Sequence, residues 1–215
     1  MKFRILLMLW FMACTVHAQQ KAWKLNAEKD GVQIYTQAVP NSAFKAVKAS
    51  GLVETSLSRI AFVLMDVKTT REWVYGTKVC TLVKQITPAD LVYYSEVDLP
   101  WPASNRDFII RITLTQDPAT RVITIVAENM PAYVPEKKGI VRIQRSAGLW
   151  KITPVDARHV RVEYTLQVDP AGLIPAWLVN MVASTGPYQS FIGLRKQVMK
   201  EKYNNAHLPG ILDQN

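Results

Sequence analysis

Residues 172–203 read GLIPAWLVNMVASTGPYQSFIGLRKQVMKEKY, and the rest of the chain is organised around them. Pro175 stands where the first turn of a helix tolerates proline, and residues 176–183 have the length and the formers of a helix. That first half is apolar almost all the way round: Trp177, Leu178, Val179, Met181, Val182. Gly186-Pro187 interrupts it, and an apolar stripe resumes as Tyr188, Phe191, Ile192, Leu194, Val198 and Met199. Gln189, Lys196 and Lys200 fall together on the other side, and the cationic last turn suits the helix dipole. A kinked helix of about 28 residues would be ~42 Å long. Such a helix needs a large concave surface to lie in, although periodicity alone fits an ordinary core helix equally well.

Upstream the chain alternates. Trp23–Asp30 (WKLNAEKD) has the composition of a short helix stopped by Gly31. β-rich runs follow at 32–36 and 44–53. Thr55-Ser56 offers an N-cap for a helix over Leu57–Val67, with Leu57, Ile60, Ala61 and Leu64 on one face. Further strands are expected at 78–86, 91–98, 106–115, 121–128, 139–145, 148–153 and 159–168, each bounded by turn chemistry such as Pro88-Ala89-Asp90 or Asp117-Pro118. A run of strands closed by one long helix reads as α+β, an antiparallel sheet with a helix across one face. Several strands are apolar on both parities, as in Phe108-Ile109-Ile110. A sheet covered on both sides would show this, and so would a curved sheet with a hollow apolar face.

The 215 residues are 49% hydrophobic and 20% charged, with a net charge of +9. Lys and Arg are interleaved with acids along the chain, so nucleic acid is not an expected partner, while attraction to anionic headgroups is compatible with the charge. Residues 1–18 read as a secretory signal: Lys2 and Arg4, then an apolar run from Ile5 to Ala13, then Val16-His17-Ala18. Lipidation at Cys14 is a rival reading. The expectation is a periplasmic or secreted protein, with a domain over 19–208 and a tail over 209–215. After cleavage Cys80 is the remaining cysteine, so the fold relies on its core rather than on an intrachain disulfide.

Motifs for catalysis, metals or cofactors are missing. His159 and His207 lie far apart without metal-ligand spacing, Cys80 has no sequence-local base, and no nucleophile-elbow, dinucleotide or phosphate-loop pattern occurs. No enzyme, no cofactor and no metal is the expectation.

At Glu96–Phe108 the chain reads EVDLPWPASNRDF, and this stretch resembles the START lipid-transfer domain, closest to its phosphatidylcholine-transfer branch. Other pieces match in order: 23–35, Met65-Asp66 with Arg71-Glu72-Trp73, 138–143, and 169–180. The resemblance covers roughly residues 21–203. It implies a helix-grip fold, in which a strongly curved antiparallel sheet grips the C-terminal helix and leaves an apolar tunnel for one lipid. Burial of a lipid there would be favourable by ~0.8 kcal/mol per methylene. Tyr93, Ser95, Val97, Phe108, Ile110, Ile112 and Leu114 on the strands would line the tunnel, with Trp177, Met181, Phe191, Leu194 and Val198 on the helix. Arg106 and Asp107 would be a structural pair. The loop over 129–138, through Met130, Tyr133 and Val134, would form a gate with the Gly186-Pro187 kink and touch the bilayer.

Departures from the branch narrow the ligand. The aromatic choline cage of the family's phosphatidylcholine carrier falls here at Ser95, Phe108 and Ser146, and one aromatic is no cage. Its phosphate-binding arginine falls at Thr70, and the acid–arginine pair of sterol-binding members falls at Tyr93 and Ile112. The resemblance therefore implies a monomeric lipid carrier with transient membrane contact and an unnamed lipid. A pocket enzyme, such as a cyclase, and a non-transferring sensor are the alternatives on the same fold.

Overall fold

The computed structural model describes residues 22–171 and 181–214. Its first hairpin pairs β1 (Lys24–Lys29) with β2 (Val32–Ala38) across Asp30-Gly31. Both turn residues have positive φ, 52° and 66°, the backbone a two-residue hairpin with the right twist demands. The expected helix over Trp23–Asp30 is thus a strand. Its helix formers are all exposed, and pairing with β2 overrides their weak propensity.

β3 (Lys45–Glu54) leads into α1 (Leu57–Met65), where the Ser56 hydroxyl accepts from the Arg59 amide at 3.2 Å as an N-cap. A 3₁₀ turn, Val67–Glu72, carries the chain to four long strands: β4 (Thr77–Thr87), β5 (Asp90–Val97), β6 (Arg106–Gln116) and β7 (Ile123–Asn129). The strand expected over 139–145 shrinks to β8, Val141–Arg142, which runs parallel to β6 beside Arg106 and Asp107, where β7 does not reach. β9 (Arg145–Pro154) and β10 (His159–Asp169) complete a sheet in the order β1-β2-β3-β10-β9-β7-β6-β5-β4. All pairings on that path are antiparallel, and the sheet curves around its helices.

The C-terminal helix closes the concave face. Residues 181–185 form a π-helical turn that runs directly into α2, Gly186–Val198. Gly186-Pro187 does not break the helix as the sequence suggests. The proline lacks an N–H and crowds the preceding turn, and a widened turn upstream accommodates it. α2 lies close against its surroundings. A Cβ on Gly193 would stand 2.3 Å from the Trp73 carbonyl oxygen, and one on Gly51 would stand 3.0 Å from the Phe191 ring. Arg195 donates from α2 to the carbonyls of Asp30, Gly31 and Leu52.

One large core joins the inner face of the sheet to α1 and α2, through Leu57, Ile60 and Leu64 on one side and Phe191, Leu194 and Val198 on the other. Each fully buried Leu or Phe there contributes about 1.5–3 kcal/mol. Residues 204–214 are docked rather than trailing. Leu208 and Ile211 are buried, and Asp213 and Gln214 accept from the Ser58 and Leu57 amides at the start of α1.

Candidate functional site

Strand alternation sorts the inner side chains into rows across the curved sheet. One row runs Ile34, Ala49, Tyr164, Trp150, Ile125, Leu114, and the next Thr36, Val47, Leu166, Gly148, Ala127, Ile112, Leu91. Asn129, Ile110, Tyr93 and Leu82 form a third; Phe108, Ser95 and Cys80 a fourth; Arg106, Val97 and Thr77 a fifth. Burial is graded over this face. Ile34, Ile123, Ile125, Ile152, Val160 and Val162 are closed off completely, whereas Tyr93, Phe108, Trp150, Tyr164, Leu166 and Val168 are half-buried.

The half-buried region is aromatic and lightly polar. Trp150 stacks on Tyr164 with ring centres 4.0 Å apart and meets Trp73 edge-on at 6.2 Å. Burial pushes the Tyr93 hydroxyl well above the usual phenol range, and nearby Tyr164 and Cys80 add to the effect. Burial does the same to Tyr164, and it pushes the Cys80 thiol up to about 11. No hydrogen-bond partner is found for either hydroxyl among the described residues.

The PWPASNRDF stretch is a junction at the end of this face. Asn105 donates to Glu96 at 2.8 Å and accepts from the Leu99 amide at 3.1 Å, closing the base of the loop between β5 and β6. Buried Arg106 donates to the carbonyls of Ser104, Pro170 and Ala171, so it holds the lead-in to the C-terminal segment. Asp107 points the other way and accepts two bonds from Arg142, at 2.7 and 3.1 Å. Arg142 also donates to the carbonyls of Pro131, Val134 and Pro135. Three loops are therefore tied through three consecutive residues.

Comparison with known proteins places this arrangement. The START domain model matches residues 13–201. The chain belongs to the START domain family. An uncharacterized protein of Pseudomonas aeruginosa is 32% identical over 184 residues, covering 86% of this chain and 90% of that one. The rat phosphatidylcholine transfer protein is 29% identical over 169 residues, covering 76% and 78%. Among solved structures, a STAR-related lipid transfer protein from Xanthomonas axonopodis superposes with a TM-score of 0.76 at 30% identity, covering 83% of this chain and 99% of its own. Human STARD10 superposes at 0.71 with 22% identity, covering 87% and 77%, a likeness of fold.

Within this START domain, Tyr93, Ser95, Val97, Phe108, Ile110, Ile112 and Leu114 do share the concave face, as strand parity requires. Sequence reading missed Trp73, Cys80, Trp150 and Tyr164, which the curvature brings to the same region. Phe191, Leu194 and Val198 lie in the fully packed half, at 3%, 0% and 0% exposure, which makes them core residues rather than an open floor. Trp177 and the side chain of Met181 lie outside the described residues, as do the signal over 1–18 and Cys14.

Two assignments are corrected. Arg106 and Asp107 are not a pair, because neighbours in a strand point to opposite faces; each is structural with a different partner. The loop carrying Met130, Tyr133 and Val134 is not a free gate. Met130 and Val134 pack on the convex face against Val92, Tyr94 and Ile109, and Arg142 holds three of the loop's carbonyls. Gly186 and Pro187 lie on the helix across the concave face, the opposite side of the sheet from that cluster. Tyr133 remains 42% exposed. The more open loop is the one between β5 and β6, whose Trp101 is 91% exposed.

Proposed function

We propose that this START domain is a lipid carrier, holding one lipid in an apolar hollow between the concave sheet and the C-terminal helix. One observation carries the reading. Tyr93, Phe108, Trp150 and Tyr164 stay half-buried on a concave face where Ile34, Ile125 and Ile152 are closed off. Aromatic surface left incompletely packed on the inside of a curved sheet is what an apolar ligand site presents. The named relatives, a phosphatidylcholine transfer protein and a STAR-related lipid transfer protein, support a lipid as the occupant.

The chemistry nearby suits carriage rather than catalysis. Burial holds Cys80 as the neutral thiol, and no base is paired with it among the described residues. His159 bonds Asp156 on the exposed rim, and His207 bonds Ser58 at the start of α1. The same domain acts, in our reading, as an exported monomer that touches membranes transiently. The apolar run of residues 5–13 supports export, and Trp101 on the tip of its loop supports membrane contact.

The test is transfer between donor and acceptor vesicles, with lipid occupancy measured in parallel by organic extraction. One lipid per protein and catalytic amounts of protein accelerating transfer are expected. A chemically altered product would favour the enzyme, and occupancy without transfer would favour a sensor. Absence of both occupancy and transfer would remove the carrier reading altogether.

A further inference from the structure

The buried part of the concave face carries little charge. From Gly172 through Leu194 the chain contains no Asp, Glu, Lys, Arg or His, so this segment brings no ionic group to the hollow whatever its placement. Across the inner rows of the described strands, Arg106 is the one buried charged residue; Lys24, Lys29 and Lys45 share the parity but lie exposed on β1 and at the start of β3. The Nε, Nη1 and Nη2 of Arg106 each already donate to a backbone carbonyl, and it is 7% exposed. It also lies four residues along β6 from Ile110, the register partner of Tyr93, a separation of roughly 13 Å. Asp107 and Arg142 satisfy each other on the convex side.

What the hollow offers instead is neutral and directional. Tyr93 and Tyr164 present phenol groups with no partner among the described residues, and both are half-buried on the concave face, Tyr93 packed on the same core as Trp150, on which Tyr164 stacks. Their raised proton affinity keeps both protonated, so each can donate a hydrogen bond at any physiological pH. Neither hydroxyl is among the fully buried polar atoms that lack a partner, so each keeps surface at which a ligand oxygen can accept from it. A phosphate in the same space would be a desolvated anion with no buried free cation among the described residues to meet it.

We propose, building on the carrier reading, that the ligand is a lipid without formal charge whose carbonyl or hydroxyl oxygens accept from Tyr93 and Tyr164. Glycerides, sterol-like alcohols and quinones share this chemistry.

The experiment has two arms. Protein purified from its native host is extracted and the lipid identified by mass spectrometry. Stripped protein is separately incubated with vesicles of phosphatidylethanolamine and phosphatidylglycerol doped with dioleoylglycerol. An uncharged lipid from the host, and preferential uptake of dioleoylglycerol from the vesicles, are expected. Tyr93→Phe and Tyr164→Phe should each weaken dioleoylglycerol retention by about fivefold, the worth of one ordinary hydrogen bond. Both changes keep the ring, so thermal melting reports whether packing has survived. A phospholipid as the sole occupant in both arms overturns the proposal while leaving the carrier reading intact. So does a double Phe variant that folds and retains dioleoylglycerol as the wild type does. Failure to take up any lipid in either arm overturns both.

Discussion

Asp107 and Arg142 are 0% and 1% exposed in their side chains, and the ion pair between them is bidentate. Two desolvated charges repay their burial when geometry is good and the remaining donors are satisfied, which the carbonyls of Pro131, Val134 and Pro135 accomplish here. Removing one partner strands the other. Arg142→Met should therefore cost about 3–5 kcal/mol in denaturant unfolding, and limited proteolysis near Lys137-Lys138 should accelerate as the loop is released. Asp107→Leu combined with Arg142→Met should regain part of the stability but not the protease resistance, because the loop carbonyls stay unheld. Wild-type melting of Arg142→Met would refute this account of the pair. At this scale the inner residues of β6 could be read from alternation, since a two-residue period is written directly in Phe108, Ile110, Ile112 and Leu114. The partner of Asp107 could not. Arg142 stands 35 residues away, and a long-range ion pair leaves no periodic trace.

At the scale of elements, α2 is fixed at its C-terminal end and joined to a π-helical turn at the other. Glu72, at the end of the 3₁₀ turn, accepts from Lys200, Gln197 and Lys202, chiefly from Lys200, and these contacts hold its pKa near 2 rather than 4.5. A lowered carboxylate pKa means stability that is complete above about pH 4.5 and is lost as pH falls toward 2. The side chain is 37% exposed, so solvent screening keeps the gain modest. Glu72→Gln should melt lower than the wild type at neutral pH, and the gap should close between those two pH values. A gap independent of pH would show that the contacts act through shape rather than charge. Element types were legible wherever burial imposed a period, as in α1 and β3–β7. β1 failed because all six of its side chains are exposed, so no burial pattern contradicts its helix-forming composition. Its real signal was Asp30-Gly31, a hairpin turn type dictated by backbone twist.

For the whole molecule, curvature turns separate strands into one concave face, and no single strand encodes that. Tyr93 and Tyr164 lie on β5 and β10, with β6, β7 and β9 between them in the sheet, and both face the concave side that the bend of the sheet creates. In the carrier reading proposed above a lipid leaves through an edge of the sheet, and we propose the loop between β5 and β6 as the point of membrane contact. Its base is tied by Asn105 and by buried Leu99, while its tip carries Pro100, Trp101 and Pro102. An indole 91% exposed on a protein of net charge +9 fits the interface of an anionic bilayer, where its amphipathic ring is stable. Trp101→Ala removes that ring without touching the inner rows. It should lower binding to phosphatidylglycerol vesicles by about tenfold, on the order of 1.4 kcal/mol, and slow vesicle-to-vesicle transfer in proportion. Lipid occupancy of the purified protein and its melting temperature should stay as in the wild type. Met130→Ala, on the convex face, should reduce stability without that selective loss of vesicle binding. If Trp101→Ala binds vesicles and transfers lipid as well as the wild type, membrane contact must be assigned to another edge of the sheet.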